Sequence, residues 1–273
     1  MTLPARSVIQ QAATADISQS GTCHPGLVFD RYADTWNVNK DGQWHTEAEK
    51  KQPAPKTHFL DTFCTRFAAW GKAPGAIEML KTEHQRHASL RASLEARGWT
   101  VKTGRFSTRW RFVTGLGNSH PFETGFTFHH TLGVPYLAGS SVKGACLDVA
   151  RTSGVAPEIG RAVFGTDEDA GNAGGAVFFD LLPEKWPTLD VDVVTPHYGR
   201  YYEGKDVPGD WLSPVPSPFL TVAPGQTFVA AVALKPGIQA HIDDVWKMVV
   251  EAATSGGFGG KSAVGYGYFD VVR

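Results

Sequence analysis

From residue 105 onward the spacing of apolar residues switches between strand-like and helix-like periods in a fixed order. That order restricts the chain to few folds. Phe106 to Val113 reads as a strand, with Phe106, Trp110 and Phe112 set among Ser, Thr and Arg. Val142 to about Arg151 reads as a helix; Gly174 to Leu182 and Asp190 to Thr195 read as strands. Thr227 to Leu234 is a strand of Val, Ala and Leu. Ala240 to Ala253 is an amphipathic helix with Ile242, Val245, Trp246, Val249 and Val250 on one side, and Val264 to Val272 is the last strand. Strand, helix, strands, helix, strand predicts an α+β domain of ferredoxin-like (RRM-like) design, one sheet with two helices on one face. Such sheets often bind RNA, but the fold alone does not decide function.

Residues 1–104 form an N-terminal extension to the core at 105–273. Asp30 to Lys56 is polar, carries Trp36 and Trp44, and ends in Gln52-Pro53-Ala54-Pro55, so it reads as a surface excursion that orders against a partner. Thr57 to Arg97 is helical, with Ile77, Leu80, His87, Leu90 and Leu94 at three- and four-residue steps; Pro74-Gly75 opens that pattern and Gly98 closes it. Pro196 to Pro224 is a loop insertion rich in Pro, Gly and aromatics. Its stretch from Val207 to Pro218, with the tryptophan excursion, is the expected contact surface for neighbouring proteins. No internal repeat is visible.

At 42% hydrophobic and 19% charged residues the chain can bury a core. Cys23, Cys64 and Cys146 are far apart and odd in number, so neither a disulfide framework nor a zinc site is expected. With no signal peptide or membrane-length apolar run legible, a soluble cytoplasmic protein is the expectation. The net charge of −1 argues against bulk phosphate binding, so any positive charge has to be local. It is: between Ala96 and Phe122 there is no Asp or Glu, while Arg97, Lys102, Arg105, Arg109 and Arg111 fall there.

The richest stretch is Gly256-Gly257-Phe258-Gly259-Gly260-Lys261-Ser262, continuing Ala263-Val264-Gly265-Tyr266-Gly267-Tyr268-Phe269. Four glycines in five positions let the backbone take positive φ and lie close to a ligand; the N–H groups can line an anion-binding concavity, to which Lys261 adds a charge. A nucleotide-binding P-loop runs strand, loop, helix, and would need glycine where Ser255 stands; this loop follows a helix and precedes a strand. A second anion site is expected at the helix start, where Ser140 or Ser141 is a natural N-cap and Lys143 lies one turn in. Arg109 and Arg111, two apart, share a strand face, with Arg105 beside them.

Two further segments stand in order before the glycine loop. One is Gly115-Leu116-Gly117-Asn118-Ser119-His120-Pro121-Phe122-Glu123-Thr124-Gly125; the other is Gly133-Val134-Pro135-Tyr136-Leu137-Ala138-Gly139-Ser140-Ser141-Val142-Lys143-Gly144. Together the three blocks resemble the signatures of the RAMP superfamily, the repeat-associated subunits of CRISPR effector complexes, and within it look closest to the type III-B class. The resemblance covers about 105–273. It implies a non-catalytic subunit of an antiviral ribonucleoprotein that binds CRISPR guide RNA near its 3′ end and touches other RAMP subunits, with no membrane and no small-molecule cofactor. The RNA-binding residues expected from these segments and the basic stretch together are Arg105, Arg109, Arg111, Ser119, His120, Ser140, Ser141, Lys143, Gly256, Gly257, Phe258, Gly259, Gly260, Lys261 and Ser262.

Some RAMP relatives cut guide RNA without metal through a histidine, so His120 and His129 are the residues for that alternative. His129 and His130 point to opposite faces if their segment is a strand. His84 and His87 share a helix face near Glu83 without a third ligand, and Asp148 and the Asp167-Glu168-Asp169 turn offer no defined metal site. No catalytic or metal residue is assigned. A protein-interaction module without RNA binding is the third reading.

Overall fold

The computed structural model describes residues 24–31, 36–38, 44–46, 55–120, 122–166, 173–196, 199–205, 207, 209, 214 and 216–273. Cys23, the Asp167-Glu168-Asp169 turn and most of the Val207 to Pro218 stretch lie outside the described residues. In chain order the first elements are α1 (Pro25–Arg31), β1 (Trp36–Val38), β2 (Trp44–Thr46), α2 (Pro55–Trp70), α3 (Pro74–Ala96) and β3 (Thr100–Thr108). Then come α4 (Gly139–Thr152), α5 (Pro157–Phe164), β4 (Ala176–Phe178), β5 (Leu182–Pro183) and β6 (Leu189–Val194). The last are α6 (Gly199–Tyr202), β7 (Ser217–Val222), β8 (Thr227–Leu234), α7 (Ile242–Glu251) and β9 (Phe269–Val272).

The central sheet runs β4-β8-β3-β9, with β5 also pairing β8, and every pair is antiparallel. An antiparallel sheet of α+β character is therefore present, with its strands shifted from the expected bounds. β3 spans 100–108 rather than 106–113, because alternation breaks after Thr108: Arg109 and Trp110 both turn outward. The last strand starts at Phe269 rather than Val264, because Ser262–Val264 coils into a 3-10 turn and Gly265 and Gly267 take φ of 100° and 75°. Part of the expected Pro196 to Pro224 loop is strand β7. It pairs with β6 in a separate two-stranded sheet, joined to the main body by a bridge from Phe112 to Val222. The tryptophan excursion holds a short ladder, Trp36 opposite Thr46 and Val38 opposite Trp44.

β8 (TFVAAVAL) explains how the sheet is covered on both sides. Phe228, Ala230, Val232 and Leu234 face one way and join the main core with Phe106, Val142, Cys146, Val149, Val245, Met248 and Val249, the inward residues of α4 and α7. Gly104 is a glycine because the Trp246 indole lies where its Cβ would stand, 2.5 Å away. Ala231 and Ala233 face the other way, where small side chains let Leu94 of α3, Trp99 and Phe179 pack close.

The helical stretch from Thr57 to Arg97 is two helices. The break falls at Gly71, where a Cβ would come within 2.1 Å of the Trp186 ring, and at Pro74, which opens α3. α2 carries Phe59, Leu60, Phe63, Phe67 and Trp70 on one stripe, and these join Phe29, Phe122 and Phe126 in the main core. Trp186 locks α2 by donating its indole N–H to the Phe67 carbonyl at 2.9 Å.

Candidate nucleic-acid interface

The glycine loop is held by the chain that leaves β3. Gly260 N–H donates to Val113 O, Gly267 N–H to Arg111 O, and Phe258 N–H to Gly267 O, each at 2.8–2.9 Å. Its glycines are obligatory at two contacts: a Cβ on Gly259 would meet Val113 O at 2.2 Å, and one on Gly267 would meet Phe258 O at 1.9 Å. Segment 111–116 is in turn fastened to the next block. Thr127 N–H donates to Thr114 O, Gly125 N–H to Leu116 O, and Gly115 (φ 73°) leaves room for the Thr127 hydroxyl. Two of the three sequence blocks thus form one stitched unit.

Within that unit Lys261 takes φ 59°, a left-handed conformation that a side chain rarely adopts without compensation. Its Nζ lies 5.4 Å from the centre of the Phe219 ring on β7. The N–H groups of Gly259 and Lys261 have no acceptor among the described residues. Gly256 and Gly259 are exposed, and Gly257, Gly260 and Ser262 are partly so. Phe258 is fully buried: it anchors the loop in the core and does not face a ligand.

The basic stretch is not the free positive face expected. Carboxylates from elsewhere meet its cations: Lys102 pairs with Asp243, and Arg105 with Glu184 at 2.7 Å. Arg109 pairs with Asp270 at 2.8 Å, and Arg111 with Asp190 and Asp192 at 2.6 and 3.1 Å. Nor do Arg109 and Arg111 share a face, since one reaches β9 and the other β6. Arg111 is the more enclosed; Asp192 also accepts from the Tyr266 hydroxyl at 2.7 Å. Burial and that bond push the Tyr266 hydroxyl up to about 12.

The helix start differs too. α4 begins at Gly139 behind Ala138, so Ser140 and Ser141 lie inside the first turn, exposed, and neither is the N-cap. Gly139 N–H donates to the Asp180 carboxylate at 2.7 Å, so an anion from the chain itself already sits at this dipole end. Lys143 is not aimed at a ligand: its Nζ donates to Phe164 O at 2.9 Å. The far end of α4 is what approaches the glycine-loop side, through Ser153 and Glu251 at 3.2 Å. Ser140 lies about 20 Å along the helix from there.

His120 is a core residue. Its Nε2–H donates to Phe29 O at 3.0 Å, its Nδ1 accepts from Phe122 N–H at 3.1 Å, and its ring stacks on Phe29 at 4.3 Å. Burial holds it below the usual histidine range, hence neutral. Both nitrogens are occupied, so it shapes the turn that exposes Gly117, Asn118 and Ser119. His129 and His130 do not diverge: their segment is a turn, and the rings lie parallel with centres 5.4 Å apart. Among the described residues no group of three His, Cys, Asp or Glu side chains is placed to hold a metal, and no helix is long and apolar enough to cross a membrane.

Sequence reasoning missed the carboxylates that neutralise the site: Asp180, Glu184, Asp190, Asp192, Asp243 and Asp270. They lie 41 to 161 residues from their partners, so no local pattern announces them.

A glycine-rich turn before β9, stitched to the exit of the first core strand of an antiparallel sheet, defines a class of protein. A sequence model of the RAMP superfamily matches residues 105–270, more than half the chain, and the chain belongs to that superfamily. It is similar to the Cmr6 subunit of the CRISPR Cmr system of Pyrococcus furiosus, 28% identical over 70% of this chain and 73% of the relative. It is also similar to Cmr6 of Saccharolobus solfataricus, 25% identical over 68% of this chain and 63% of the relative. Its fold resembles a chain of the type III-B Cmr-beta complex solved by cryo-electron microscopy bound to cognate target RNA. That TM-score is 0.61 at 21% identity, over 98% of this chain and 88% of that chain.

Proposed function

We propose that this chain is a Cmr6-type backbone subunit of a cytoplasmic type III-B CRISPR effector complex, which holds guide RNA near its 3′ end against neighbouring RAMP subunits and does not cut it. The core is of ferredoxin-like design: β9-β3-β8-β4 with α4 and α7 on one face is the order such a fold requires. The RAMP core begins with β3 at Thr100, five residues before the expected boundary, and the residues before it act as its extension. The observation that carries the reading is Lys261, held left-handed on a glycine loop beside N–H groups that have no acceptor among the described residues, which is the build of an anion-binding concavity. Gly256, Gly257, Gly259, Gly260, Lys261 and Ser262 form that contact. Ser119, Ser140 and Ser141 are further exposed contacts, while Arg105 and Arg109 reach RNA by exchanging a carboxylate for phosphate.

The test is RNA retention by the complex purified on this subunit, followed by a denaturing gel. Lys261→Gly keeps the loop conformation and removes only the side chain, so the fold is retained and RNA retention falls. Intact RNA lost in the variant supports the reading; RNA cut at one site makes the protein a nuclease, and no RNA in any preparation removes the reading.

A further inference from the structure

Trp110 is half exposed, at 51% of its surface, although the alternation that buries Phe106 and Thr108 before it and Phe112 after it would take it inward. The chain turns it out between two backbone bonds to the glycine loop, Arg109 N–H to Tyr268 O and Gly267 N–H to Arg111 O. One side of the indole is backed by the Arg111 guanidinium, 5.5 Å from the ring centre. That guanidinium is itself fixed by Asp190 and Asp192, so it cannot leave the ring to follow a phosphate. What results is an aromatic plate beside a concavity lined with N–H groups, in a neighbourhood whose arginines are paired with carboxylates.

We infer that Trp110 is a stacking platform for one base of single-stranded RNA whose phosphate lies in the glycine loop. The inference rests on the RNA-binding reading and deepens it by naming how a nearly neutral surface grips RNA. Stacking accepts any base and needs no net charge, whereas phosphate capture in bulk would need free cations. A protein side chain on the same plate is the competing occupant. RNA is favoured because the plate and the anion-binding loop share one hydrogen-bonded strip, as base and phosphate are joined in a nucleotide.

The experiment compares wild type, Trp110→Ala and Trp110→Phe in the purified complex, using a labelled thiouridine-substituted single-stranded RNA over a salt series. Crosslinks are mapped by mass spectrometry. Trp110→Ala should weaken binding roughly five- to 150-fold. The salt slope should stay unchanged, the crosslink at residue 110 should vanish, and Trp110→Phe should restore most of the affinity. Wild-type affinity in Trp110→Ala overturns the platform. So does loss of a neighbouring subunit with RNA affinity intact, which makes Trp110 a protein contact. A wild-type complex that retains no RNA removes the RNA-binding reading and the platform with it, a result distinguishable from either.

Discussion

The two faces of the central sheet are built on different physics. Toward α4 and α7 the contact is wholly apolar: Phe106, Phe228, Val232 and Leu234 against Val142, Cys146, Val149, Val245 and Val249. Toward α3 the apolar contacts are split into two smaller sets, Phe179, Ala231 and Ala233 with Leu94, Trp99 and Val101, and Leu80 and Leu182 with Leu132 and Val134, with ionisable groups beside them. His84, His87, Arg91 and Asp180 line a small cleft there, and Glu83 holds both Arg86 and His87, the latter at 3.1 Å. One face is a core; the other is a docked cover over the surface that an RRM-like sheet leaves open to RNA. Arg109 and Arg111, expected to use that surface, lie instead past the end of β3, beside the glycine loop.

The sharpest break of this comparison is a pair of substitutions on one strand. Phe228→Ala empties the apolar face and should cost about 3–5 kcal/mol, read as the shift of the denaturant midpoint. Ala231→Leu, three residues on, pushes against α3 and should cost about 1–3 kcal/mol. Its effect should appear as faster hydrogen exchange in α3 while α7 stays protected. Equal costs, or loss of α7 protection in the second variant, would mean that the two faces form one cooperative core.

The same strand shows what the sequence can reveal. Thr227–Leu234 was legible because its run of Val, Ala and Leu leaves no other reading, and α7 because its apolar stripe is wide. The glycine loop was legible because close backbone approach leaves a residue-type signature, and Gly259 and Gly267 carry it. What stayed hidden was long-range: that Asp270 faces Arg109, that Asp180 caps α4, and that α3 covers the sheet. Alternation gave Arg109 and Arg111 one face, but the turn at Trp110 separates them. A composition count finds five cations and no acid between Ala96 and Phe122, yet burial and pairing are set by segments that composition does not connect.

Acid sharpens the comparison next. Burial holds His87 below its ordinary value of 6.5, partly offset by Glu83, while Arg86 and Arg91 lower it and Asp180 raises it. Its neutral form therefore belongs to the folded state. The stability it contributes is complete above 6.5 and is lost as pH falls through the lower folded value. Glu83, held below the usual carboxylate range mainly by its bond to Arg86, stays ionised through that window. His129, also depressed by burial, titrates in the same direction. Between about pH 7.5 and pH 5.5, exchange in α3, corrected for intrinsic rate, should accelerate more than in α7. His87→Gln should flatten that difference; an unchanged pH response would put the acid sensitivity elsewhere.

The smallest effect concerns the ion pair at the margin of the covered face. By alternation Arg105 shares the side of Val101 and Thr103, and its guanidinium donates to Glu184 at 2.7 Å with both side chains substantially in solvent. In a double-mutant cycle, Arg105→Ala against Glu184→Gln, the coupling should be about 0.2–1 kcal/mol and fall with added salt. A pair that weak is cheap to exchange, so Glu184 can yield Arg105 to a phosphate, whereas Arg111, held twice and more enclosed, cannot be released so easily. The RNA-affinity arm of the cycle therefore has a sign. Glu184→Gln should raise affinity slightly and steepen its salt dependence, because it frees a cation that the fold had neutralised. If it leaves both unchanged, Arg105 lies outside the RNA path, and the contact narrows to the glycine loop and the residues stitched to it.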